Sequence, residues 1–129
     1  VHPIEAATIK AFIAANRRER WIAMLDSAKG RREQLDRLNH LRDLDERYAQ
    51  WLDSNADVVG LLRAKGAPQE CFVISPMGEL DGRVMELEEA IEAIKNSMSG
   101  AIVSCVAGKL GLYCGEAGEA WGLLVRPGG

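Results

Sequence analysis

Ala101-Ile102-Val103-Ser104-Cys105-Val106-Ala107-Gly108-Lys109-Leu110-Gly111-Leu112-Tyr113-Cys114, followed by Trp121-Gly122-Leu123-Leu124-Val125-Arg126, decides the fold. A two-residue turn at Ala107-Gly108 sets Val106 opposite Lys109, Cys105 opposite Leu110, Val103 opposite Leu112 and Ala101 opposite Cys114. A loop at Glu116–Glu119 then sets Trp121 opposite Cys114, Leu123 opposite Leu112 and Val125 opposite Leu110. Side chains alternate along a strand, so a slip of one residue inverts every one of them. In this register a single face collects Ala101, Val103, Cys105, Leu110, Leu112, Cys114, Trp121, Leu123 and Val125. Two independent turns that agree on one apolar face predict a three-stranded antiparallel meander. The other face is mixed: Ile102, Ser104, Lys109, Gly111, Tyr113, Gly122, Leu124 and Arg126. There Tyr113 lies across from Gly122, where a ring can cover the bare backbone.

Upstream, Leu87, Ile91, Ile94 and Met98 form one stripe, with Glu86, Glu88, Glu89, Glu92 and Lys95 facing away. That is an amphipathic helix over about 86–98, ended at Gly100. Cys71-Phe72-Val73-Ile74-Ser75 is a strand closed by Pro76. With the helix and strand 101–106 it could form a βαβ unit, right-handed if the strands are parallel. The first half reads as helices over about 5–28, 31–44 and 55–65. Trp21, Ile22 and Leu25 share one face, Gly30 interrupts, and Leu35, Leu38 and Leu41 recur every three residues. Ser54 is the expected cap of the third helix, and Gly66 with Pro68 ends it. The fold class is therefore α+β: N-terminal helices, then β-α-β-β-β with a meander packed on helices, in a single domain spanning 1–129.

The charged fraction of 27% and apolar fraction of 47% are ordinary for a globular chain of 129 residues. No apolar run reaches the roughly 18 residues of a membrane span. Val1-His2-Pro3 lacks the basic and apolar regions of a secretory signal, so a cytoplasmic location is expected. The net charge of −3 is uneven. Ten basic residues face eight acidic ones up to Arg47, and six face eleven beyond it. The Arg-rich part (Arg17, Arg18, Arg20, Arg31, Arg32, Arg37, Arg42, Arg47) is interleaved with acids and reads as a solvated helical face. Cys71, Cys105 and Cys114 have neither CxxC nor zinc-type spacing and read as buried free thiols.

Two strings concentrate chemistry. His40-Leu41-Arg42-Asp43-Leu44-Asp45-Glu46-Arg47-Tyr48 brings together an imidazole, two carboxylates, guanidinium groups and a phenol. His40, Asp43 and Asp45 are candidate metal ligands, and the carboxylates could also act in acid–base chemistry. The plainer reading is a helix end whose Asp residues cap the next turn. Glu79-Leu80-Asp81-Gly82-Arg83 follows the first strand, where loops often carry function, although Asp-Gly also makes turns unaided. If the strings meet, Asp43, Asp45, Asp81, Arg47 and Arg83 form one charged cluster, in which self-neutralisation is favoured over catalysis. Ser104 lacks a His or acid partner, and a core Cys105 is a poor nucleophile. His2, at the terminus, is assigned no role.

Further strings are Ile9-Lys10-Ala11-Phe12, Arg18-Glu19-Arg20-Trp21 and Ser104-Cys105 with Gly108-Lys109-Leu110. Together with His40–Tyr48, Cys71–Ser75 and Glu79–Arg83, they resemble a group of small uncharacterised bacterial proteins over most of the chain. The resemblance implies a bacterial cytosolic setting and supplies no catalytic residue.

The reading favoured by the residues is a non-enzymatic binding or regulatory protein that takes no cofactor. Its partner would be another protein or a second copy of the chain, docked on Tyr113, Leu124, Arg126 and Lys109. The alternative is a metal-assisted phosphoester hydrolase in which His40, Asp43, Asp45 and Asp81 hold the ion, with Arg47 or Arg83 stabilising developing charge. A third, least favoured, is nucleic-acid binding through the Arg-rich helices.

Overall fold

The computed structural model describes residues 1–40 and 43–127. Leu41 and Arg42, read above as part of the second helix, lie outside the described residues. The helices are α1 (Pro3–Phe12), α2 (Arg18–Leu25), α3 (Ala28–Asp36), α4 (Val58–Ala64) and α5 (Leu87–Ser97). The strands are β1 (Ala49–Trp51), β2 (Glu70–Ile74), β3 (Val84–Glu86), β4 (Ala101–Val106), β5 (Leu110–Cys114) and β6 (Trp121–Val125). All six form one sheet in the order β1-β6-β5-β4-β2-β3, antiparallel at every junction.

The meander is present with the expected pairs Ala101↔Cys114, Val103↔Leu112, Cys114↔Trp121, Leu112↔Leu123 and Leu110↔Val125. One pairing differs. Val106, not Cys105, faces Leu110, and the register shifts between Ser104 and Val106. The turn holds three residues, Ala107–Lys109, with Gly108 at φ +71° and the Lys109 N–H donating to the Val106 carbonyl. The longer turn absorbs one residue as a bulge at Cys105. The βαβ expectation with parallel strands is not met, because β2 and β4 run antiparallel.

The sheet is buried on both faces. On one side Leu62 of α4 and Leu87, Ala90, Ile91 and Ile94 of α5 pack against Val73, Val103, Leu112 and Leu123. On the other, Ile9, Phe12, Trp21, Leu25 and Leu35 from α1–α3 pack against Phe72, Ile74, Ile102, Tyr113 and Leu124. The N-terminal helices thus cover the mixed face, not the apolar one. The Tyr113 hydroxyl donates to the Leu38 carbonyl, so even its polar atom is accounted for within the layer.

Local chemistry explains the helix boundaries. The Nδ1 of His2 accepts from the Ile4 N–H at the start of α1, with Pro3 in the first turn. The His2 ring also stacks on Phe72, 4.6 Å between centroids, so His2 has a structural role that its terminal position did not suggest. The expected helix over 5–28 is two helices joined by a 3₁₀ turn at Ala15–Arg17. The break before α3 falls at Ser27, which accepts from the Gly30 N–H, and Gly30 lies inside α3. Asp57 rather than Ser54 caps α4, accepting from the Gly60 N–H. Gly66, at φ +101°, closes α4 as expected, with the Ala67 N–H returning to the Leu62 carbonyl. Met98 leaves the stripe of α5: it ends the helix at φ 61° and is 58% exposed.

Candidate functional site

The two charged strings form separate ion pairs rather than one cluster. Asp81 turns toward α3, where its Oδ2 accepts from Arg31 Nε at 2.8 Å while its Oδ1 accepts from the Ser75 N–H at 3.1 Å. The same guanidinium donates twice to Glu5 of α1, at 2.9 and 2.6 Å. Glu5 is 1% exposed, and a bidentate Arg–carboxylate pair is the geometry that lets a buried charge persist. Arg31 therefore ties α1 and α3 to the loop after β2, and the two acids beside it raise its affinity for its proton.

Asp43 takes different partners. Its carboxylate accepts from Arg37 Nε and Nη2 at 2.6 and 3.0 Å and from Trp21 Nε1 at 2.9 Å, and Arg17 lies 3.8 Å away. Burial resists ionisation of Asp43, but the Arg37 and Trp21 hydrogen bonds outweigh it and hold the carboxyl below its ordinary value. Asp45 caps the 3₁₀ turn Glu46–Tyr48, as the plainer reading expected. It accepts from the Arg47 N–H and, at 3.0 and 2.8 Å, from the Arg47 guanidinium. The Arg47 bonds hold Asp45 below the usual carboxylate range too. Neither carboxyl is poised for proton transfer near neutrality.

His40 is exposed at the end of the 3₁₀ turn Arg37–His40. Arg83 is exposed and lines an open cleft with Glu79, Leu80, Ala93, Asn96 and Ser97. Among the described residues no three His, Cys, Asp or Glu side chains are grouped as a metal ion would require. Of the Arg-rich helical face, Arg17, Arg18, Arg31, Arg37 and Arg47 all pair with carboxylates. Each of these charges is thereby offset by a neighbouring acid.

The docking face expected on the meander is half covered. Tyr113 and Leu124 are each 0% exposed beneath α1–α3. Ser104, expected to point outward, is buried as well. Lys109 is exposed and Arg126 half-buried. With Lys65, just beyond α4, they rim a cleft of about 300 Å³ floored by Val106, Leu110 and Val125. The Arg126 guanidinium lies over the Tyr48 ring at 4.1 Å, and its backbone N–H donates to the Lys109 carbonyl. Among the described residues, Lys65, Lys109 and Arg126 form no ion pair with a carboxylate. Sequence reading missed Lys65 and the apolar floor. The one signal for Lys65 was its place beside Gly66 at a helix end, where a cation is expected anyway.

Known proteins add nothing to this geometry. No protein-family model, curated protein or solved structure matches the chain. Among the described residues, no helix is long and apolar enough to cross a membrane.

Proposed function

We propose that this chain is a non-enzymatic binding protein that captures an acidic segment of a partner protein at the Lys65–Lys109–Arg126 cleft. One observation carries the reading: three cations with no carboxylate partner among the described residues line a cleft with Val106, Leu110 and Val125, whereas the described buried carboxylates are each matched to arginine. Rim charges of one sign select a partner of the other sign and speed its approach, while an apolar floor supplies affinity. The cleft is open and shallow, which suits a protein segment better than a small molecule that must bury most of its surface. A bacterial cytosolic setting, implied by the resemblance, belongs to the same proposal.

The test is fluorescence anisotropy with a labelled peptide alternating Asp or Glu with Leu, against its Lys-for-acid counterpart. The acidic peptide should bind, and lose affinity as salt rises. Lys65→Glu/Lys109→Glu/Arg126→Glu should abolish binding, and Lys65→Glu/Lys109→Glu, which leaves the Arg126–Tyr48 stack in place, should weaken it without moving the thermal midpoint by more than about 2 °C, since both lysines are exposed. Equal binding of both peptides, or undiminished binding by the triple variant, refutes the reading.

A further inference from the structure

Five strands end together beside the basic cleft. β4 stops at Val106 where β5 begins at Leu110, and the pair Leu110↔Val125 brings the end of β6 alongside. Ile74↔Ile102 and Phe72↔Ser104 place the start of β2 at this same end, and Glu70↔Glu86 adds the end of β3. Across the sheet this end carries Arg126 after β6, Lys109 before β5, Val106 on β4, Glu70 on β2 and Glu86 on β3. Charge therefore runs from positive to negative, with an apolar residue in the middle. The acids are as unmatched as the cations. Glu70 and Glu86 are direct cross-strand neighbours, and like charges so placed repel. Among the described residues neither pairs with a cation. They line an open cleft of about 490 Å³ with Pro68 and Gln69. Glu70 also shares a cleft with Ala107 of the β4–β5 turn, so the acidic half adjoins the Val106 and Lys109 of the basic one. Lys109 cannot serve Glu70 at home: two strand spacings, about 10 Å, separate β5 from β2.

We infer that the acidic partner of the basic cleft is the Glu70–Glu86 pair of a second copy, joined end to end in an isologous dimer; this step rests on the binding reading above. A two-fold axis normal to the sheet, passing the end of β4, reverses the strand order in the facing copy. The order β6-β5-β4-β2-β3 has two strands on either side of β4. In the dimer β6 therefore meets β3, β5 meets β2, and β4 meets itself. Arg126 faces Glu86 of the second copy, Lys109 faces Glu70, and the two Val106 side chains meet at the axis. Symmetry makes each charged contact twice. An axis lying in the sheet plane across the strands would set cations on cations, and like-charge juxtaposition disfavours that arrangement. Lys65 lines the same cleft and adds to its positive half. The Tyr48 ring under the Arg126 guanidinium holds that group in place before the second copy arrives.

Sedimentation velocity at low salt, from micromolar to near-millimolar chain, should show a species of twice the chain's mass that dissociates as salt is raised. Lys109→Glu and Glu70→Lys each set like charges together twice per dimer, so each should weaken it at least about tenfold. An equimolar mixture of the two variants restores opposite charges at both contacts and should recover the dimer, as should Glu70→Lys/Lys109→Glu in one chain. A monomer at every concentration, a dimer that both single variants keep, or a mixture that stays monomeric overturns the inference. If a variant fails to fold, carbodiimide coupling of wild-type chains mixed with ¹⁵N-labelled ones decides. An amide between Lys109 and Glu70 that joins a light peptide to a heavy one supports the dimer, and its absence overturns it. The labelled acidic peptide separates the two readings: a monomer that binds it overturns the second copy alone, and a monomer that does not overturns both.

Discussion

Replacing Arg31 with alanine tests whether the Glu5–Arg31–Asp81 network holds the helical layer to the sheet. Glu5 is 1% exposed and both of its carboxylate oxygens accept from Arg31. Removing one partner of a buried pair strands the other charge, which costs about 3–5 kcal/mol. The Arg31 side chain is 26% exposed, so water reaches the gap and the loss falls at the lower end, about 3 kcal/mol. A chain of 129 residues has an unfolding entropy of about 0.27 kcal/mol/K, so the midpoint should drop by about 11 °C. Circular dichroism melts at neutral pH measure it. If the stranded charge is the cause, Arg31→Ala combined with Glu5→Leu should recover at least half of the drop, because an apolar replacement removes the charge along with its need for a partner. A fall of less than about 3 °C in the single variant, or no recovery in the double one, refutes the reasoning.

Two further outcomes follow from the packing and the ion pairs. Asp43 and Asp45 ionise more readily folded than unfolded, so the unfolded chain binds more protons on acidification. Their contribution is whole above about pH 4 and falls away as pH drops through the lower folded values. Urea titrations should therefore show stability falling below about pH 4, and Asp43→Asn should be less stable at neutral pH with a shallower acid limb. A Cβ at Gly111 would stand 2.7 Å from the Val103 carbonyl oxygen, whereas one at Gly78 would meet nothing within 4 Å. Gly111→Ala should lose about 1–3 kcal/mol by denaturant titration, and Gly78→Ala should stay near wild type.

The meander was legible because its two turns had to agree, and five of its expected pairs stand in the structure. Strands β1 and β3 were not. Each has three residues at a sheet edge, too short for alternation to rise above the surrounding loop. The covering of Tyr113 and Leu124 was missed because the mixed face was read alone. Ile9, Phe12, Trp21 and Leu25 needed a surface to bury against, and the only large one left was that face. Asp43 and Asp45 were visible as a pair, and Arg47, the main partner of Asp45, lay in the same string; Arg37 and Trp21, which hold Asp43, come from other elements, so spacing along the chain could not reveal them. Lys65 joined the cleft through the ending of α4, which sequence placed correctly without showing what lay beneath.

Because helices clad both sides of the sheet, β4 and β5 have no wet side. Oil against water therefore gives little penalty to a strand displaced by one residue: it would trade one greasy surface for another. Steric fit has to police alignment instead. The Trp51 ring rests where a side chain on Gly122 would begin, 2.9 Å from the missing Cβ. One place further along, Tyr113 threads its hydroxyl through the covering layer to the Leu38 carbonyl. Evolution can thus exchange one aliphatic group for another in these strands with little consequence, while bare backbone under Trp51 and a phenol across from it are the fixed points by which the ribbons find their places.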